Sequence, residues 1–190
     1  MHPTETTPHL EKLVAHYLAY SFLGKAFFEG PSIALMTTLK EDALFADWPL
    51  ENSNDAMQTG LNILQSYCEM WDESDFPELK RDYDRLFIGP NKLPAPPWES
   101  VYRSEARLVF EEETLKVRAM YRQYGMALPP DNIQPDDHFG LEMMFVAHLC
   151  RLALDAIEQE KPGIAKSMEQ AIVTFFNEHI CQWTDEFLEN

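Results

Sequence analysis

Cysteine is scarce in this sequence, and its three thiols, Cys68, Cys150 and Cys181, form neither a CxxC pair nor an even set. A disulfide framework and a structural zinc site are both disfavoured by that pattern. Positive charge is scarce too: 15 Lys and Arg stand against 32 Asp and Glu, a formal charge of -17. Nucleic acid and anionic membrane surfaces are therefore poor partners. So acidic a surface either serves solubility or draws basic ligands over a screening length of about 8 Å at physiological salt. No apolar run reaches the roughly twenty residues needed to cross a bilayer, and the opening MHPTETTPHLEK lacks the basic and then apolar order of a secretory signal. The expectation is a cytoplasmic protein with no stable membrane insertion. Also missing are GxSxG, HExxH, GxxxxGK[ST] and any Gly-rich turn after a strand, so catalysis and a phosphate cradle have no positive support and no cofactor is expected.

What the chain does contain is helical periodicity. At 190 residues it is long enough for one domain with a substantial core, and 1–190 reads as a single all-α domain. A first helix opens at Thr7-Pro8, carries Leu10, Leu13, Val14, Tyr17, Leu18 and Phe22 at helical spacing, and stops at Gly30-Pro31. Ser32 to Lys40 reads as a second helix, and a third places Met57, Leu61, Leu64 and Trp71 on one face. Pro77 opens the helix that bears Leu79, Tyr83, Leu86 and Phe87, and Gly89-Pro90 ends it. Glu111 to Tyr124, Gly163 to Glu178 and a short tail through Trp183, Phe187 and Leu188 complete the set. From Leu141 to Ile157 apolar residues run nearly all round, broken mainly by Glu142, His148, Arg151 and Asp155, which marks a buried central helix. The stretch 129–136 is a candidate hinge.

Two segments stand out from the helices. In YDRLFIGPNKLPAPPWESVY, Tyr83 to Tyr102, the prolines Pro94, Pro96 and Pro97 pre-order an extended loop (89–100) that carries Trp98 at little entropic cost. Trp98 is either a core residue or a binding anchor with one N–H donor. Asp136, Asp137 and His138 stand where a helix begins. An aspartate there can cap the exposed backbone N–H groups, or it can hold His138 as a proton-transfer or hydrogen-bonding group, the first-turn position tending to keep the imidazole neutral. His148 with Cys150 and His179 with Cys181 are spaced two apart, which points opposite ways on a helix, so no metal site is expected.

Those two segments, the second being Pro135-Asp136-Asp137-His138-Phe139-Gly140, resemble the signature of the TorD/DmsD family of redox-enzyme maturation chaperones, with most likeness to the DmsD branch. The resemblance implies a single-domain helical chaperone fold, found in that family as a monomer or a domain-swapped dimer. It also implies a function: binding the twin-arginine leader, and possibly the body, of a molybdopterin-dependent oxidoreductase of the DMSO/TMAO reductase type, and delaying Tat export until the cofactor is inserted. Carried onto this sequence, it places Pro97, Trp98, Asp137 and His138 at the peptide site, with Glu99, Ser100, Tyr83 and Leu86 as weaker members. Glu99 would offer a carboxylate to a guanidinium. The alternatives are a small helical enzyme using Asp136, Asp137 and His138 for acid-base chemistry, and a helical adaptor for an unrelated protein.

Overall fold

The computed structural model describes residues 3–51, 54–104, 109, 112–129 and 132–189, with side chains from residue 8 onward. In chain order the helices are α1 (Pro3–Glu29), α2 (Ile33–Glu41), α3 (Asp55–Met70), α4 (Phe76–Tyr83), α5 (Glu99–Arg103), α6 (Glu112–Gln123), α7 (Phe139–Glu158), α8 (Pro162–Glu178) and α9 (Thr184–Leu188). Among the described residues the only pairing of β type is an isolated antiparallel bridge between Trp98 and His138. The fold is all-α, as the periodicity predicts. The chain divides into two compact units, Met1–Phe28 with Pro94–Asn190 and Glu29–Leu93. The proline loop is shared out: Gly89 to Leu93 go with the second unit and Pro94 onward with the first.

In the first unit α7 is the spine. Leu141, Phe145, Val146, Leu149 and Ala153 are all buried, packed with Val117 and Tyr121 of α6 and with Ala171 and Phe175 of α8. Each large apolar side chain so removed from water contributes about 2 kcal/mol. α7 and α8 are joined by a tight connection in which Glu160 adopts φ +56 and Lys161 N–H bonds back to Ala156 O. The Glu142 side chain, which reads in sequence as a polar break, is fully buried. α1 crosses the start of α7 at backbone contact: a Cβ on Gly140 would lie 2.7 Å from Phe28 N and 2.8 Å from Gly24 O. Only glycine fits there.

α1 differs from expectation at its start, beginning at Pro3 with Pro8 inside it. A proline this early forfeits one backbone donor and leaves the later turns intact. Within α1 it is Leu13 and Ala19 that are buried, while Leu10, Val14 and Leu18 lie on the exposed side.

The second unit holds α2, α3 and α4. Ser32 and Asn54 cap α2 and α3, accepting from Leu35 N at 3.1 Å and Met57 N at 2.8 Å. Lys40 Nζ donates to Trp71 O at 2.7 Å, tying α2 to the end of α3. On α3 itself Cys68 is buried, whereas Leu64, expected on the inner face, is exposed together with Ile63, Tyr67 and Met70. The α4 helix does not stop simply at Gly89-Pro90. It runs into one π-helical turn, Asp84–Ile88, closed by Gly89 N–H to Asp84 O at 2.8 Å, with Gly89 at φ +103. That turn carries Leu86. Tyr83 lies against Gly30, whose φ is +73 and whose missing Cβ would stand 2.7 Å from the ring. Burial pushes the Tyr83 hydroxyl up to about 12.

Candidate functional site

The two segments singled out in the sequence meet in the first unit. Glu99 N–H donates to Asp137 O at 3.0 Å and Phe139 N–H to Pro97 O at 2.8 Å, so Trp98 and His138 lie side by side as an antiparallel bridge. A turn through Asp136 and Asp137, closed by His138 N–H to Pro135 O at 3.1 Å, delivers His138 in an extended conformation, and α7 begins only at Phe139. Neither aspartate therefore caps α7. His138 does, its Nδ1 accepting Gly140 N–H at 3.0 Å. That bond puts the proton of the neutral ring on Nε2. Burial lowers the His138 pKa from 6.5 to about 4, so the imidazole is neutral as expected, the cause being desolvation rather than the helix dipole. Its ring meets Trp98 edge to face at 6.0 Å and Phe28 at 5.5 Å.

Asp137 serves a different helix. Its Oδ2 accepts Ser100 N–H at 2.8 Å and its Oδ1 accepts the Thr114 hydroxyl at 2.7 Å, both bonds being buried. With Glu99 N–H on its carbonyl as well, Asp137 supplies from across the site the acceptors that α5, with no side-chain cap of its own, lacks. Asp136 is engaged elsewhere: its Oδ2 accepts Arg118 Nε at 2.9 Å and Nη2 at 2.5 Å, and its carbonyl accepts the Tyr121 hydroxyl at 2.9 Å. No aspartate oxygen is bonded to His138 among the described residues, so the geometry of an Asp-His acid-base pair is missing.

Behind this bridge is a hidden set of carboxyl groups. Glu99 is fully buried; the guanidinium it pairs with is that of Arg103 on its own helix, and its Oε2 lies 2.9 Å from His179 Nδ1. Arg103 also donates to Glu178 O at 3.0 Å, so α5 is fastened to the end of α8. Glu142 lies against Glu99 and the Trp183 indole, and burial first, then the charges of Glu99 and Asp137, raise its pKa well above the ordinary 4.5. It keeps its proton. The unfolded chain ionises Glu142 near 4.5, so stability present below that value is lost as pH rises through the native one. Glu142→Gln, neutral and of the same shape, is expected to exceed the parent in stability by about 1–2 kcal/mol near neutral pH and to show a shallower pH slope. Urea unfolding at about pH 5 and about pH 8 measures both; a variant weaker than the parent at the higher pH would mean that the native state needs the ionised carboxylate.

Of the remaining candidates, Pro97 and Ser100 are fully buried, and Glu99 and Ser100 belong to α5 rather than to the loop. Trp98 is half-buried, and its recessed Nε1–H has no acceptor among the described residues. Tyr83 and Leu86 belong to the second unit, on α4 and the π-helical turn. The sequence reading misses Thr114, Arg118, His179 and Trp183, which reach the site from α6 and the segment after α8. Only Glu142 left a trace, as a carboxyl inside an apolar run. Among the described residues no cluster of His, Cys, Asp and Glu is arranged to hold a metal, and no helix is long and apolar enough to cross a membrane.

A recessed indole stands beside a neutral histidine in this all-helical chain, on two segments tied together through Asp137, and the relatives it matches here are chaperones. The Tat proofreading chaperone DmsD of Salmonella typhi is 28% identical over 171 residues, covering 88% of this chain and 72% of that protein. The probable Tat proofreading chaperone DmsD of Haemophilus influenzae is 32% identical over 111 residues, 58% of this chain, which thus spans about half, 47%, of that relative's length. The chaperone protein TorD of Photobacterium profundum is 26% identical over 113 residues, 60% of this chain and 51% of its own. The family described as nitrate reductase delta subunit matches residues 51–189, and the chain belongs to it, alongside the TorD and DmsD chaperones of redox-enzyme maturation.

Proposed function

We propose that this protein is a cytoplasmic chaperone that binds the twin-arginine signal peptide of a molybdopterin-dependent oxidoreductase of the DMSO/TMAO reductase type and holds the precursor back from Tat export until its cofactor is in place. The observation that carries the reading is the bridge between Trp98 and His138, which sets a half-buried indole beside a neutral imidazole. An extended peptide entering there would find a large apolar face and two N–H donors for its carbonyls, the Trp98 Nε1–H and the His138 Nε2–H. The names of the relatives support the same partner. So does charge: a leader pairs adjacent arginines with an apolar stretch, and this chain carries -17. Pro97, Glu99, Ser100 and Asp137 act as positioning residues, since all four are buried and their backbone or carboxylate groups tie the two segments together; Tyr83 and Leu86 belong to the second unit and are weaker candidates.

Trp98→Ala is expected to weaken binding of a synthetic leader peptide by about 2 kcal/mol, the cost typical of an interface anchor, with circular dichroism unchanged. Unchanged affinity in a folded variant would make Trp98 a packing residue and remove the basis of the proposal.

A further inference from the structure

In a chain with 32 acidic and 15 basic residues, α6 sets Arg118 and Arg122 one turn apart on the rim of a cleft of about 270 Å³. The cleft lies in the first unit and is walled by Tyr121, Met126, Leu128 and Asp136. Its polar groups are unevenly matched. Asp136 offers Arg118 a single oxygen, Oδ2, which takes both Nε and Nη2, whereas Arg122 makes no ion pair with any described residue. Two guanidinium groups and one carboxylate leave the cleft's charge positive in a strongly negative protein, and Met126, Ala127 and Leu128 supply apolar lining.

We propose that this cleft binds a carboxylate borne on an apolar body about the size of one amino-acid residue, the carboxylate lodging between Arg122 and Arg118 and the hydrocarbon lying on Met126 and Leu128. A planar guanidinium matches a carboxylate's two oxygens, which favours this anion over a point charge. The volume, near the lower end of small-molecule sites, fits one such residue and little more. The incoming carboxylate competes with Asp136 for Arg118, so the native ion pair acts as an internal occupant that the ligand displaces. The cleft is unsuited to the basic leader. Its ligand chemistry has two sources, a free small acid or the terminal carboxylate of a chain ending in an apolar residue.

The test titrates the full chain, followed by the amide resonances of Met126 and Leu128, with N-acetyl-leucine, N-acetyl-leucinamide, inorganic phosphate and a short peptide ending in leucine. The acid is expected to bind at least about tenfold more tightly than the uncharged amide and than phosphate. Arg122→Gln, a change at an exposed side chain, should weaken it about tenfold, and Asp136→Asn, which removes the internal competitor, should tighten it. A peptide that binds as well as the free acid identifies a chain terminus as the source; one that binds worse identifies the small acid. Equal affinity for acid and amide, phosphate binding as tight as the acid, or indifference to Arg122→Gln would each overturn the proposal.

Discussion

Asp137→Ala is expected to lower the free energy of unfolding by about 4 kcal/mol, within the range for breaking a buried charged interaction. The residue is wholly buried, and truncation strands two donors at once, Ser100 N–H and the Thr114 hydroxyl, now 2.8 Å and 2.7 Å from its oxygens. Both lie too deep for water to replace the carboxylate. The effect should concentrate in α5, whose first N–H groups Asp137 serves, and so in the seat of Trp98. Asp137→Asn should cost less, because its amide oxygen can keep one of the two bonds. Urea unfolding of both variants checks the order. An alanine variant within about 1 kcal/mol of the parent would contradict the assignment of Asp137 as the tie between the two segments.

Stability should also fall steeply as acid is added, through His138. The unfolded chain takes up a proton near 6.5, but native His138 resists until about 4 because it is buried, and its Nδ1 is committed to accepting Gly140 N–H. A native pKa depressed in this way leaves the full stability in place above 6.5 and removes it as pH falls from there toward 4, by about 3 kcal/mol. His138→Asn keeps a side-chain oxygen able to cap α7 and does not titrate, so its stability should be nearly flat over the same window. The slope due to Glu142 has the opposite sign, and the two variants separate the contributions. A parent and a His138→Asn protein that lose stability in parallel between pH 6.5 and pH 4 would show that the imidazole titrates freely in the native state.

Much of this was legible in the sequence because helices announce themselves locally. The apolar run after Phe139 and the stop at Gly30-Pro31, where Gly30 adopts φ +73, act within a turn or two of themselves. The pairing of the Pro97-Trp98 and Asp137-His138 segments was signalled only by the family resemblance, since nothing local says that residues 97 and 139 share a backbone hydrogen bond. What the sequence concealed is which partner each polar group takes. Asp137 reads as a cap for the helix that follows it but serves α5 instead, because the bridge to Trp98 turns its carboxylate that way. Glu99 reads as an open acceptor for a ligand's guanidinium, yet Arg103 is one turn away on the same helix. His179, 80 positions from Glu99, lies beyond any local pattern.

Recognition of a twin-arginine leader is tested most directly by a calorimetric titration of the full chain with a synthetic leader of that type. One-to-one binding is expected, weakening as salt is raised, with the salt dependence flattened when both leader arginines are replaced by glutamine. Absence of binding, or equal affinity at low and high salt for the native and the arginine-free peptide, would contradict the claim that this acidic helical protein receives a basic export signal.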